Sequence, residues 1–381
     1  MAGSAVAREA PREKGTFSGE GDGPCLHLLF RSPVVREIAK TRSPGARCMP
    51  AQLWREPGDN ICEGAMRFEN YTTVKEFILV GFPGIGKMKV FVFLTLLLTY
   101  MVTLLGNFMI IFLVWRDYRL HTPMYWLLCN LSFSGLCFTS TIVPQMMRNI
   151  ITEIKVISFL GCMAQIYFYF FLGTCDYILV AVMAFDRYVA ICNPLRYSVI
   201  MSGGFTFQLA LGTWLGAFCS VLPSTIIVFQ LPFCGPNVIN HYFCDIIPVL
   251  NVACKDTAVL ERLSYTSTAI IVLSSLLLTS VSYLYIINTI LRIPSVTGRQ
   301  KAFSTCLAHI TLASVFYGCS IFMYLLPENI HSSGFYKAVA LLHTVVTPLL
   351  NPFIYTLRNE KVKEVLRDTL KHTTILAKAR P

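Results

Sequence analysis

Seven stretches of this chain are apolar for about twenty residues or more, the length a helix needs to cross a bilayer. They fall at roughly 90–114, 123–146, 160–185, 206–229, 264–290, 303–326 and 336–357. Inside lipid every backbone N–H and C=O must be satisfied within the protein, which leaves helices as the fold for runs of this kind. Of 381 residues only 14% are charged and 54% are hydrophobic, whereas a soluble domain carries about 25% charged residues. The expected fold is an all-α membrane protein, a bundle of seven transmembrane helices. The net charge of +11 does not indicate nucleic acid, because the basic residues lie between apolar runs and not along one soluble face.

Lys and Arg in the short connections set the orientation. Arg116 and Arg119 follow the first run, Arg187 and Arg196 the third, and Arg292, Arg299 and Lys301 lie between the fifth and sixth. The tail carries Arg358, Lys361, Lys363, Arg367, Lys371, Lys378 and Arg380. The opposite connections mix signs, as in Arg148, Glu153 and Lys155. Lys87 and Lys89 argue weakly the other way and are outweighed. The N-terminus is expected outside and the C-terminus inside. Past the seventh run, basic and apolar residues alternate at helical spacing from Arg358 to Leu370, the pattern of a short amphipathic helix lying on the inner membrane surface.

Residues 1–65 are rich in Arg, Glu, Gly and Pro, have no apolar periodicity, and are expected to be a disordered extension. Residues 66–375 form the membrane domain and 376–381 the end of the cytoplasmic tail. No internal repeat is evident, which argues against inverted-repeat transporters. No run presents a nucleophile with its base, or a metal triad, so an enzyme is not expected. Neither a cofactor nor a metal is implied.

The third run ends in Met183-Ala184-Phe185-Asp186-Arg187-Tyr188-Val189-Ala190-Ile191-Cys192, followed by Asn193-Pro194-Leu195-Arg196-Tyr197. Charged side chains at a helix end are costly unless they face protein or water. The stretch closely resembles the inner end of the third helix in olfactory receptors, a tetrapod-type branch of the rhodopsin-like G protein-coupled receptors. Leu120-His121-Thr122-Pro123-Met124-Tyr125 and Lys301-Ala302-Phe303-Ser304-Thr305-Cys306 are similar to motifs of that family, as is Phe316-Tyr317-Gly318-Cys319 where other rhodopsin-like receptors carry a Trp and a Pro. Met66-Arg67-Phe68-Glu69-Asn70-Tyr71-Thr72-Thr73 resembles an olfactory receptor N-terminus. The resemblance covers about 66–375; an upstream start ahead of Met66 would account for what precedes it. Asn70 opens an Asn-X-Thr sequon on the outer side, an expected glycosylation site. Asn130-Leu131-Ser132 fits the same pattern but lies within the second run, beyond a transferase's reach.

The chain has 14 cysteines. Cys162, Cys234, Cys244 and Cys254 stand on the outer, oxidising side, where disulfides persist; sequence alone leaves three pairings open. The family resemblance implies Cys162–Cys244 and Cys234–Cys254. It also implies an activation and G protein machinery comprising Asp186, Arg187, Tyr188, Tyr283, Lys301, His309, Tyr317, Asn351, Pro352 and Tyr355. Pro348 and Pro352 each remove a helical hydrogen bond and bend the seventh helix. A polar core is implied at Asn107, Gly135 and Asp176, with one departure: the family places an acid where this chain has Gly135, which puts sodium coupling in question.

Counting outward along the third run, Tyr169, Phe170, Gly173 and Thr174 recur at helical spacing. Comparable inward positions are Ser267, Thr268 and Ile271 on the fifth run, Ser320, Ile321 and Tyr324 on the sixth, and Thr344 on the seventh. These are the expected ligand-binding residues. An amine receptor would need a carboxylate where Tyr169 stands, and a retinal protein an interior Lys, whereas Lys337 is at the outer edge of its run. The resemblance therefore implies an odorant receptor in the plasma membrane. Its ligand would be a small, volatile, mostly apolar molecule, and its partners a stimulatory heterotrimeric G protein and the lipid bilayer. Two rivals stand beside this reading. A receptor-like protein with impaired signalling would follow from Gly135; a transporter would need paired intramembrane charges, and Asp176 alone offers thin support.

Overall fold

The computed structural model describes residues 74–82, 84, 86–152, 155–233, 236–324, 334–357 and 360–378. The extension at 1–65, the Asn70 sequon and Cys234 lie outside these residues. The membrane helices are α1 (Lys89–Arg116), α2 (Pro123–Ile151), α3 (Phe159–Cys192), α4 (Gly203–Phe229), α5 (Ala258–Leu291) and α6 (Val296–Tyr324). Helix α7 follows as three consecutive segments, Gly334–Leu341, Leu342–Val346 and Thr347–Leu357, and α8 is Glu360–Lys378. Six of these helices are long and apolar enough to cross a membrane; in α6 the apolar stretch is the shorter His309–Tyr324. The fold is a seven-helix membrane bundle.

Several helices outrun the apolar stretches that announce them. α2 continues to Ile151, α3 to Cys192, and α5 begins at Ala258, because hydrogen bonding carries a helix past the lipid boundary into the wet interface. The start of α2 follows local chemistry: Pro123 occupies its first turn after Thr122, where a missing N–H costs nothing. Ser158 caps α3 by accepting from the Gly161 N–H. In α3 61% of the apolar window is buried, against 22% in α4, so α3 is a central strut and α4 faces lipid. Outside the bundle, β1 (Glu76–Leu79) pairs antiparallel with β2 (Val156–Ser158) and parallel with β3 (Val238–Ile239). This small sheet adds to the all-α architecture expected from sequence.

α1 and α7 meet at backbone distance. Pro352 lacks an N–H, which leaves the carbonyl four residues earlier, on Pro348, without its helical donor. Asn107 on α1, fully buried, donates from Nδ2 to that Pro348 oxygen at 3.2 Å and to Thr103 O at 2.9 Å. The preceding Gly106 makes the approach possible: a Cβ there would stand 2.7 Å from Pro352 Cγ. Higher in α7, the Leu342–Val346 segment is a π turn, which inserts extra backbone and rotates the outer part of the helix against the inner part.

α8 is fastened by two means. Val362 and Val365 are buried in one cluster with Leu113, Leu120 and Leu128. Arg119, in the turn after α1, bonds Asp117 at 2.8 Å, Glu364 at 3.2 Å and Asp368 at 3.1 Å. Its hydrogen bonds hold the Asp117 carboxyl below the ordinary range.

Replacing Gly106 by Ala should destabilise the bundle by about 1–3 kcal/mol, the usual cost of forcing extra volume into a packed contact. The thermal transition of the detergent-solubilised variant would fall, with reduced surface delivery. An unchanged transition would show that α1 and α7 separate without penalty.

Candidate functional site

A lid closes the outer end of the bundle. Cys244 is bonded to Cys162 at the start of α3, and its N–H donates to Gln165 Oε1 at 2.8 Å. Cys254 is also disulfide-bonded; Cys234, the partner implied by resemblance, lies outside the described residues. From the first bridge the segment His241-Tyr242-Phe243 turns into the bundle, all three side chains buried. Phe243 packs on Tyr169 with ring centres 4.9 Å apart, and the Tyr242 hydroxyl bonds Thr344 Oγ1 at 3.1 Å. The buried Asp245 accepts from the Tyr336 hydroxyl at 3.0 Å. Lys337 caps the assembly by donating to Asn240 Oδ1 at 2.9 Å and Gly81 O at 2.8 Å. Gly81 has φ +67°, a left-handed turn that glycine adopts freely.

Beneath the lid is a cavity of about 30 Å3 lined by Phe138, Tyr169, Phe170, Gly173, Thr174, Tyr177, Thr268, Ile271, Tyr324 and His343. Of the expected ligand residues, Tyr169, Phe170, Gly173, Thr174, Thr268, Ile271 and Tyr324 are brought together here. The others are placed differently. Ser267 donates back to Ser264 O. Ser320 donates to Phe316 O and accepts from the Tyr177 hydroxyl. Ile321 packs against the neighbouring Tyr177–Phe316–Tyr317 cluster. Thr344 is occupied by Tyr242 of the lid. The π turn explains the last case: His343, one position earlier, faces the cavity in place of Thr344. His343, Phe138 and Tyr177 escaped the sequence reading, since a straight-helix count along the seventh run has no signal for the extra residue.

The cavity walls are aromatic and close-packed. Tyr169 and Tyr324 hydroxyls bond each other at 2.7 Å, and Phe138 lies against Tyr169 with centroids 5.2 Å apart. His343 stacks under Phe316 at 5.2 Å, and its buried Nδ1 has no hydrogen-bond partner. With Thr174 and Thr268 it gives the cavity its polar lining.

His343 also borders a second, deeper cavity with Asp176, Thr347, Pro348 and Asn351. A Cβ on Gly135 would point into this region, 3.8 Å from Asn107 Oδ1 and 3.9 Å from Asn351 Nδ2. Asn107 Oδ1, Ser132 Oγ and Asp176 Oδ1 are all buried without a hydrogen-bond partner. Gly135 therefore adjoins Asn107 and Asn351, and Asn351 shares this cavity with Asp176.

At the inner end of α3, Asp186 is fully buried. Its Oδ2 accepts from Arg187 Nη2 at 2.5 Å and Nε at 3.0 Å, and Oδ1 accepts from the Tyr197 hydroxyl at 2.8 Å. Two helical turns beyond the polar core, α6 presents the buried His309, whose ring interacts electrostatically with Arg187. Tyr188 packs on Tyr285 at 5.7 Å. Tyr283 is buried with Ala184, Ile286, Ile290 and Cys306, and the Tyr317 hydroxyl bonds Thr279 Oγ1 at 3.2 Å. The side chains of Lys301 and Tyr355 lie outside the described residues.

A helical bundle with a disulfide-held lid, an aromatic cavity beneath it and a buried Asp-Arg lock at the far end is the architecture of a seven-helix receptor. The olfactory receptor family model matches residues 96–373. Mouse olfactory receptor 6E1 is 51% identical over 300 residues, covering 78% of this chain and 96% of that protein. Human olfactory receptor 6X1 is 46% identical over 79% of the chain and 96% of its own length, and human olfactory receptor 6T1 is 47% identical over 80% and 94%. The chain belongs to the olfactory receptor family, and it is a multi-pass membrane protein of a receptor family, not an enzyme.

Gly173 tests the cavity without touching the lid. A Cβ there meets Phe138 at an ordinary 3.8 Å, so Gly173→Ala should be tolerated, whereas Gly173→Leu should fill the space and abolish ligand responses at normal surface expression. A full response from the Leu variant would place the ligand elsewhere.

His241 tests the lid. Burial, reinforced by the nearby Lys337 charge, pulls its pKa down to about 3, while an unfolded histidine titrates near about 6.5. Below that value the opened lid binds a proton that the closed lid refuses, so lid stability falls as pH drops from about 6.5 toward 3 and is constant above. Protection of the amides across residues 241–246, each rate taken relative to its intrinsic rate at that pH, should fall at pH about 5 relative to about 7.5, and His241→Gln should flatten the difference. An equal fall in the variant would assign the effect to another group.

Proposed function

We propose that this chain is an odorant receptor that binds small, largely apolar molecules in the cavity beneath the lid. Binding would raise cyclic AMP through a stimulatory olfactory G protein at its inner face. The observation that carries this reading is that one helix, α3, supplies both ends of the device: Tyr169, Phe170, Gly173 and Thr174 line the cavity, and Asp186 and Arg187 form the inner lock. The membrane orientation follows the basic inner connections, with the N-terminus outside.

A cavity of about 30 Å3 holds about one water, far below the roughly 300 Å3 of an occupied small-molecule site. Odorant entry therefore requires the aromatic walls to part, and the ligand's binding energy is available to favour a looser packing of α3, α5, α6 and α7. His343 offers a ring nitrogen beside the Thr174 and Thr268 hydroxyls, and among the described residues no charged side chain lines the space, which fits an uncharged ligand with a hydroxyl or carbonyl. At the inner end, activation would free Arg187 from Asp186 and expose it to the G protein.

Missing the acid at Gly135 does not by itself favour a non-signalling protein, because Asp176, Asn107 and Asn351 still surround the core. A panel of uncharged odorants with a cyclic AMP reporter tests the function. Arg187→Ala should leave odorant binding intact and remove most of the cyclic AMP response, a loss of about tenfold or more, the scale of a lost charge-assisted hydrogen bond, because Arg187 would lie at the G protein interface and not in the pocket. Undiminished signalling at equal surface expression would refute the assignment of Arg187.

A further inference from the structure

A second space lies outside the proposed odorant site. It is a groove of about 560 Å3 on the membrane face between the outer halves of α2 and α3, roofed by the β2 connection. Arg148, in the last turn of α2, stands at its mouth with Ser158. Thr141 and Phe168 mark its inner end. At about 1.5 Å rise per residue, Thr141 to Arg148 on α2 and Gly161 to Phe168 on α3 each span about 10 Å, so the groove runs from the membrane surface down into the apolar zone.

Its chemistry is graded along that axis. Arg148 donates through Nη2 to the Val156 carbonyl, which fixes the guanidinium at the surface end. Gln145 donates to the same carbonyl at 3.2 Å and to Asn149 Oδ1 at 2.9 Å. Ile157 lies in the roof, and deeper the walls are Ala164 and Phe168, both exposed on the lipid side, with Thr141 and the buried Gln165 on the protein side. Among the described residues that line the groove Arg148 is the charged one, and a cation above a slot whose lipid side is Ala164 and Phe168 is complementary to an amphiphile with one anionic head and one chain. The planar guanidinium fork fits a carboxylate in particular.

We propose that this groove binds a single-chain fatty carboxylate, its head on Arg148 and its chain along Ala164 and Phe168, separate from the odorant cavity. Gln165 forms the wall between groove and lid: it donates to Thr141 O at 2.8 Å and accepts from the Cys244 N–H.

The test uses the full chain in phosphatidylcholine nanodiscs with a photoreactive oleate, the labelled peptides being mapped after irradiation. Saturable labelling of α2 and α3 around the groove is expected. Arg148→Gln should weaken it by about tenfold, the loss of one charge-assisted hydrogen bond; Arg148→Lys should weaken it less. Arg148 is exposed, so the variants should fold, and Ala164→Trp gives an independent check by filling the slot with Arg148 intact. Unlabelled oleate should compete and oleyl alcohol should not. Unchanged labelling in Arg148→Gln or in Ala164→Trp, or equal competition by oleyl alcohol, would overturn the proposal. Equal competition by phosphatidylglycerol would overturn it in favour of a phospholipid headgroup. None of these readouts depends on odorant binding or cyclic AMP.

Discussion

The hydrogen bond from Asn107 to the Pro348 carbonyl is the contact on which the rest of this bundle depends. A proline inside a membrane helix leaves a carbonyl that lipid cannot satisfy. Here the missing donor comes from a different helix, so the defect in α7 becomes the joint between α7 and α1. Gly106 lets the two backbones approach, and Pro352 fills the space a side chain would take. The joint also fixes where Asn351 points. That residue faces the core containing Asp176, which in turn lies between the odorant cavity and the inner lock on α3.

Along α3 the chemistry changes in three steps. The outer third is tied to the lid by a disulfide and by Gln165, and the middle presents aromatic and small residues to the cavity. The inner third carries a carboxylate satisfied from both sides by Arg187 and Tyr197. Each zone is buried, so none can move without its neighbours. A ligand that spreads the middle zone must strain either the lid, which is covalently fixed, or the lock, which is held by hydrogen bonds. The lock is the weaker of the two, so displacement is directed inward. The unpartnered acceptors on Asn107, Ser132 and Asp176 mark the place where that path is least tightly packed.

Much of this was legible in the sequence. The seven runs announced the bundle, and helical counting along the third run from Arg187 named Tyr169, Phe170, Gly173 and Thr174, which share one cavity. What escaped depends on departures from a straight helix. The π turn at Leu342–Val346 moves His343 into the cavity and hands Thr344 to the lid, and no composition or spacing marks such a turn. Ser320 looked like a ligand contact because it is polar and correctly spaced, but it is spent on Tyr177 and on its own helix. The sheet of β1, β2 and β3 was invisible because its strands are two to four residues long, too short for alternation to show.

The same sheet explains why the lid is stiff. β1 is the middle strand, so the segment before α1 is clamped between the connections that follow α2 and α4. Lys155 donates to Val80 O and Lys337 to Gly81 O, so two cations hold adjacent carbonyls just past the end of that strand. With the disulfide at Cys162, the lid is attached to α1, α2, α3 and α7 at once. Releasing one attachment leaves the others in register, which favours ligand entry through rearranged aromatic side chains over wholesale lifting of the lid. Among the rings of the cavity wall, Phe170 is the one most free to yield. It is only half-buried, and it has no hydroxyl to tie it down as Tyr169 and Tyr324 tie each other.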